Sequence, residues 1–465
     1  MRHAAWPPTL LRILVPALVA CSRAGSASAQ SFDPPFDVSQ SASGSYVPSL
    51  SMDLAGPSAG TLRLFWHDFT GATNLAWCSD NGSGAFAAGA PCPMNVTRTW
   101  TPRAAADRLG RTHLVWRDLT AGLSDIEYAV FDGTAWSAPL NLSASAGDSR
   151  NPVIAIDSMD RPHVLWEENP GAGVRFYETH FDGAAWSAPA DTGLPFAQAA
   201  FLDVLRIAFD STDTLHATWH DGATSQTEIF HAERPDGGSW SLPENLSSSR
   251  AELSAEPAVA VGPTDIVVVA WVEQDALVPT VTELCVAMRA PGAGWGAPQI
   301  LTHLGSMIAR PSVATGPDGA PRFAFGAGPI GGADILYLAG AGAEPVNVSA
   351  SPEDSQRCAL LVDASGTAVI AWQEGAVGTT EIDMSFESRV MAPPILLMAA
   401  KDELAGDVLL AWTGGAAPYI VASSTVASVN VAAWPELTPP GGIAAATWRD
   451  AGVLHDGRLI FYDVR

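Results

Sequence analysis

Residues 151–189 read NPVIAIDSMDRPHVLWEENPGAGVRFYETHFDGAAWSAP. Two alternating apolar and polar segments flank an Asp-Ser-Met-Asp turn. The second of them ends in Trp166, a third segment follows, and Trp186-Ser-Ala-Pro closes the unit. Short alternation interrupted by Asp, Gly, Pro and Asn marks antiparallel strands joined by tight turns, so the stretch encodes one four-stranded sheet.

The same unit recurs on both sides. Its second-strand aromatic returns as Trp66, Trp116, Trp166, Trp219, Trp271, Phe325 and Trp372, at spacings of 50, 50, 53, 52, 54 and 47 residues. Seven four-stranded units with a period near 50 form a β-propeller, in which each sheet hides its faces against its neighbours. The seventh unit has a third strand, Glu381 to Phe386, but no fourth. Pro35-Phe36-Asp37-Val38-Ser39 matches Pro345-Val346-Asn347-Val348-Ser349, a fourth strand standing ahead of the first unit. The fold expected is therefore all-β: a seven-bladed β-propeller closed by an N-terminal strand, which removes an open sheet edge. A small β-sandwich follows it.

Composition agrees with many short strands. The 465 residues include 42 Gly and 35 Pro, only 16% are charged, and the formal net charge is −25. Such an acidic balance repels phosphate backbones and argues against nucleic acid and anionic membrane surfaces as partners. Residues 1–29 read as an export signal: Arg2 and Arg12 precede an apolar core at 13–20 that is too short to span a bilayer. Two cleavage sites compete, one after Ala27-Ser28-Ala29 and one before Cys21, because Leu18-Val19-Ala20-Cys21 resembles the lipobox of bacterial lipoproteins. The first gives a freely secreted protein and the second a surface lipoprotein lipidated at Cys21. No further run is long and apolar enough to span a membrane. Cys78 and Cys92 flank a Gly- and Asn-rich loop, a span suited to a hairpin disulfide in an oxidising compartment. Cys285 and Cys358 fall in separate repeats and are expected to be free thiols.

The segments Phe131-Asp132-Gly133-Thr134-Ala135-Trp136, Phe181-Asp182-Gly183-Ala184-Ala185-Trp186 and Asp236-Gly237-Gly238-Ser239-Trp240 resemble the Asp-box (BNR) hairpins of sialidase-like propellers, over roughly residues 30–392. The resemblance implies the propeller fold. For an active sialidase it further implies three arginines on a substrate carboxylate, a tyrosine nucleophile with a glutamate partner, and an aspartate acid/base. Of six tyrosines, Tyr128, Tyr177 and Tyr337 occupy a repeated framework position, and Tyr419 and Tyr462 lie beyond the repeats, which leaves Tyr46 alone. After Pro393-Pro394 the repeat stops, and residues 393–465 resemble a fibronectin type III-like sandwich.

Carboxylates recur two residues after the second-strand aromatic, as Asp68, Asp118, Glu168, Asp221, Glu273 and Glu374. Arg103, Arg150, Arg310 and Arg357, near the start of strand one, are their expected ion-pair partners. His113, His163 and His216 share one position and read as structural, with no metal-ligand spacing around them. Function belongs where the repeats stop agreeing, since a fold constrains every blade alike whereas a ligand touches only some. Two residues before the first-strand proline position the units carry Tyr46, Trp100, Arg150, Asp203, Ala255, Ala309 and Gln356. The first four, at one mouth of the central channel, supply two aromatics, a cation and an anion, groups that suit a sugar or peptide ligand. The sequence thus points to an exported binding or scaffolding module for a glycan or an extracellular protein or peptide, with no catalytic residue, metal or cofactor assigned. A sialidase-like glycoside hydrolase and a purely structural surface spacer are the alternatives.

Overall fold

In a computed structural model of the chain, the described residues are 30–388, together with the backbone of five strands between 396 and 464. Excepted are 42–43, 54–59, 69–74, 81–85, 87–89, 93, 95–97, 120–121, 198–202, 224–225, 249–252, 275–277, 279–280, 330 and 377–378. The export segment and Cys21 lie outside them.

One compact unit, Ala29–Ser388, holds seven four-stranded antiparallel sheets. Blade 3 is typical, with Asp148–Ile156, Pro162–Asn169, Arg175–His180 and Ala190–Asp191 in consecutive order. First strands of successive blades neighbour one another around the whole ring, blade 7 to blade 1 included, so they line the central channel. Blade 7 takes Ser355–Val362, Ala368–Glu374 and Glu381–Phe386 from the end of the repeats and Phe36–Asp37 from the beginning. Phe36 pairs with Met384 and Asp37 with Asp383, and the Val38 amide donates to the Ile382 carbonyl at 2.8 Å. The ring is closed by the N-terminal strand.

Alternation in the sequence becomes a two-faced sheet, and both faces are buried against neighbouring blades. Seven hydrophobic clusters result, one in each gap between blades. Six of the second-strand tryptophans are among the largest fully buried side chains. Their neighbours two residues on lie on the same face, and here the repeated carboxylates find partners other than those expected. The Trp166 indole donates to Glu168 at 2.8 Å and the Ser149 hydroxyl donates to the same oxygen at 2.5 Å. Trp271 and Ser254 do the same at Glu273, and Trp372 and Ser355 at Glu374. The arginines expected there turn elsewhere: a bulge in strand one, one residue after the serine, shifts the register and with it the face that the following side chains enter.

The repeated Asn-x-Ser of the fourth strand is a second framework device. Asn141, Asn245 and Asn347 accept from the amides of Ala144, Ser248 and Ala350 at 2.7–2.9 Å. The following serines accept from third-strand amides of Ile126, Ile229 and Ile335. The closing segment repeats the pattern: Asp37 accepts from Gln40 and Ser39 from Ile382. His113 and His163 are structural as expected, set beside Asp107 and Asp157, which cap the turns between strands one and two. Asp132 and Asp182 cap the hairpins ahead of Trp136 and Trp186 in the same manner.

Cys78 and Cys92 are not bridged: both are free, buried thiols. Cys78 packs in the gap between blades 7 and 1, and Cys92 in the gap between blades 1 and 2, so blade 1 separates them. Burial pushes both thiols up, Cys92 to about 12. Cys285 is free and buried, and Cys358 is free and half-buried.

Beyond residue 388 a separate unit contains two antiparallel groups of strands. Leu396–Lys401, Val408–Thr413 and Thr447–Asp450 form one, and Val421–Ser424 pairs with Phe461–Val464 in the other. Most of the fibronectin-like region expected at 393–465 lies outside the described residues. Among the described residues no helix is long and apolar enough to cross a membrane.

Candidate functional site at the channel mouth

Each first strand enters its blade through a bulge whose residue takes a left-handed backbone conformation. It is Val47, Thr101, Asn151, Glu256, Arg310 and Arg357 in six blades, with φ between 47° and 56°. Such φ is costly for non-glycine residues, and its recurrence around the channel shows that the ring imposes it. In blade 4 the left-handed residue is Asp203, at φ 56°. It falls one place earlier, for Arg206 pairs with Thr218 as Arg103 pairs with Val115. Counting along the repeat therefore aligns Asp203 with Tyr46, Trp100 and Arg150, whereas its backbone matches the bulge residues.

The four expected site residues accordingly separate. Tyr46 and Trp100 are brought together through His67, whose ring stacks on Trp100 at 4.5 Å and 19° and lies 6.4 Å from that of Tyr46. The Tyr46 ring folds back over Gly44, where any Cβ would collide with it. Trp100 stays 36% exposed, so part of an aromatic side chain lies at the surface of the mouth. Arg150, on the next blade, is ion-paired with Asp148. Asp203 joins a deeper group instead.

That deeper group is cationic. Arg103 lies 3.5 Å from both Asp203 carboxylate oxygens, and Arg206 lies 3.2 Å from one of them. Arg310 donates its amide to Glu256 at 2.6 Å and holds its guanidinium 3.9 Å from the same carboxylate. Arg357 completes the group, and among the described residues no carboxylate lies within ion-pair distance of it. Four guanidinium groups against two carboxylates leave an excess of two positive charges inside a chain whose net charge is −25. Burial acts to raise the Asp203 carboxyl, yet the charges of Arg206, Arg103, Arg357 and Arg310 together hold it below the usual range. Burial, and then the nearby Arg310 charge, pull Arg357 down to about 10. Burial lowers Arg103 as well, with Arg206 and Arg310 adding to the effect. The Asp203 charge opposes both shifts, and Glu256 opposes that of Arg357.

A third set of residues went unread in the sequence, although it lies one place after each second-strand aromatic: His67, Arg117, Glu167, His220, Val272, Gly326 and Gln373. Blades 1–4 carry ionisable groups there; blades 5 to 7 do not. Glu167 accepts from Asn151 and from the Val204 amide, both at 3.2 Å, and His220 accepts from the Glu256 amide at 3.1 Å. These side chains fasten one blade's bulge to the next. Burial pulls His67 and His220 down to about 4, so both are neutral at pH 7. Arg117 is lowered to about 10 by burial and by Arg150. The comparison that singled out Tyr46 and Trp100 would have found this column and the bulge column too.

The fold and this mouth define the class: an all-β, seven-bladed propeller with aromatic and cationic side chains at the start of its channel-lining strands. No protein-family model matches the chain, and no curated protein matches it at a significant level. Solved structures do. A fungal alcohol oxidase of the AA5 family, in complex with copper, aligns at a TM-score of 0.52 and 10% identity over 85% of this chain and 86% of its own. A PL25 ulvan lyase bound to -[GlcA(1-4)Rha3S]- aligns at 0.50 and 9% identity, over 76% and 95%. A Hadza microbial sialidase aligns at 0.42 and 12% identity, over 72% and 78%. At such identities the likeness is one of fold, and activity has to be sought in the site.

Proposed function

We propose that the protein is an exported carbohydrate-binding propeller that takes an acidic glycan at the channel mouth, with sugar rings on the Trp100 and His67 face and a carboxylate or sulfate group directed to the arginines below. The observation that carries this reading is the arginine group around Asp203, in which, among the described residues, no carboxylate lies within ion-pair distance of Arg357. Arg103 lies three residues down the strand from Trp100, within about 10 Å, a span that one to two sugar units bridge. An aromatic face with a few fixed charged groups is the usual composition of a sugar site, and arginine is the side chain best suited to planar oxyanions. The ligand named for the ulvan lyase, a uronate linked to a sulfated rhamnose, has this chemistry and is the natural first probe.

We further propose export through the N-terminal signal, cleaved either before Cys21, with a lipid attached there, or after Ala29; by either route such a protein would meet extracellular polysaccharides. The fibronectin-like region at 393–465 then serves as a second extracellular module. The test is a glycan array and titration calorimetry with acidic and neutral oligosaccharides. Acidic probes should bind, more weakly as salt rises, and Trp100→Ala should lower affinity about tenfold. Binding that favours neutral sugars, or that is unchanged in Trp100→Ala, overturns the reading.

A further inference from the structure

We infer that blade 4 holds a divalent transition-metal site formed by His216, His231 and Glu233, of a kind suited to Zn²⁺. It lies outside the channel, in the gap facing blade 5. His216 is directly opposite Glu233 on adjacent strands, and His231 is opposite Thr218, so all three side chains share one face of the hairpin. His216 Nδ1 lies 3.2 Å from His231 Nε2 and 3.8 Å from Glu233 Oε2, and all three ligand atoms fall within 4.8 Å of one another. Zinc with ligands at about 2.0–2.1 Å in a tetrahedron separates them by about 3.3 Å. The two edges at His216, 3.2 and 3.8 Å, are already near that figure.

The surroundings favour a metal in two further respects. His216 presents its other nitrogen, Nε2, to Asp210 Oδ2 at 3.5 Å. A carboxylate beside the nitrogen that points away from the ion is the arrangement commonly found behind metal-bound histidines, although here the pair stops short of a hydrogen bond. Both imidazoles are about 1–2% exposed, so they are fixed in place by the packing around them. Equivalent positions in other blades depart from the set: blade 2 has Tyr128 and Val130 where blade 4 has His231 and Glu233.

One group opposes the ion. Arg289, from blade 5, is ion-paired with Glu233 and stands over the Trp295 ring at 5.2 Å. Its second nitrogen already lies 3.7 Å from Glu244, which offers an alternative partner when Glu233 turns to a metal. Glu233 keeps 35% of its side chain open, which provides the path for an ion to arrive.

The test uses the full chain, stripped with a chelator and titrated with Zn²⁺ and with Co²⁺. One ion per chain should bind, and Co²⁺ should show the visible bands of four-coordinate geometry. Asp210→Asn should lower affinity about 10- to 100-fold, His231→Gln should abolish binding, and Arg289→Met should strengthen it. His163→Gln, in blade 3, should leave it unchanged. The inference is overturned if the wild-type chain takes up no Zn²⁺, if bound Co²⁺ is six-coordinate, or if the His231 and Arg289 variants bind as the wild type does.

Discussion

At Glu273 a single side chain ties a blade's core to its innermost strand. It accepts from the Trp271 indole at 2.6 Å and from the Ser254 hydroxyl at 2.8 Å while only 8% exposed. Removing the carboxylate leaves two buried donors unpaired, each costing roughly 1–3 kcal/mol. Glu273→Ala should therefore lower the unfolding free energy by about 2–4 kcal/mol, measured by urea denaturation. A change below about 0.5 kcal/mol, the usual range for surface substitutions, would show that the contact is dispensable. The sequence displayed this column of acids without identifying its partners. Spacing places Trp271 and Glu273 on one face, so the indole was within reach of reasoning. That the arginines point away was not, since it depends on the left-handed residues Glu256, Arg310 and Arg357, none of which is a glycine that would have advertised the conformation. The same hidden turn separated Asp203 from Tyr46 and Trp100.

Among elements, the closing strand is the most exposed to test. Residues 31–38 run beside Glu381–Phe386 and carry the buried Val38 into the gap between blades 7 and 1. A chain beginning at Ser41 should melt several degrees lower and aggregate, because the third strand of blade 7 becomes a free edge. An unchanged melting temperature would contradict the closure. The seam is also acidic. Burial, followed by the charges of Glu374, Asp37, Glu381 and Glu353, raises Asp383 to about 7. The folded chain thus keeps a proton that the unfolded chain releases above about pH 4, and stability from this group falls as pH rises from about 4 to 7. Asp383→Asn should accordingly gain stability over the wild type at pH 8 and lose that advantage at pH 4, in paired thermal melts. An advantage that grows toward low pH would reverse the sign and refute it. Closure was legible because Pro35–Ser39 copies Pro345–Ser349, both halves of one turn-and-serine device. The Cys78–Cys92 bridge was misread because loop length says nothing about which face of the blade each thiol enters.

For the whole molecule, buried imidazoles set the acid limit. Burial lowers His67, His163 and His220 to about 4 and His231 to about 2, whereas an unfolded chain titrates them near 6.5. Each binds its proton more readily when unfolded, so their stabilisation is full above pH 6.5 and is lost as pH falls toward 4. The propeller's melting temperature should fall across that window, and a flat profile from pH 7 to 5 would contradict it. At the other end of the chain, mass spectrometry of protein from native membranes should find a diacylglyceryl Cys21, whereas a chain beginning at Gln30 in the medium removes the anchor. The central claim is that the channel arginines receive an anionic group. The most direct measurement is calorimetric binding of a uronate oligosaccharide and of its methyl ester to the wild-type chain and to Arg357→Met. A charge-assisted hydrogen bond contributes about 1.5–3 kcal/mol, so the acid should bind the wild type at least about tenfold more tightly than the ester, and the gap should largely close in Arg357→Met. Equal affinity of acid and ester for the wild type would contradict the account.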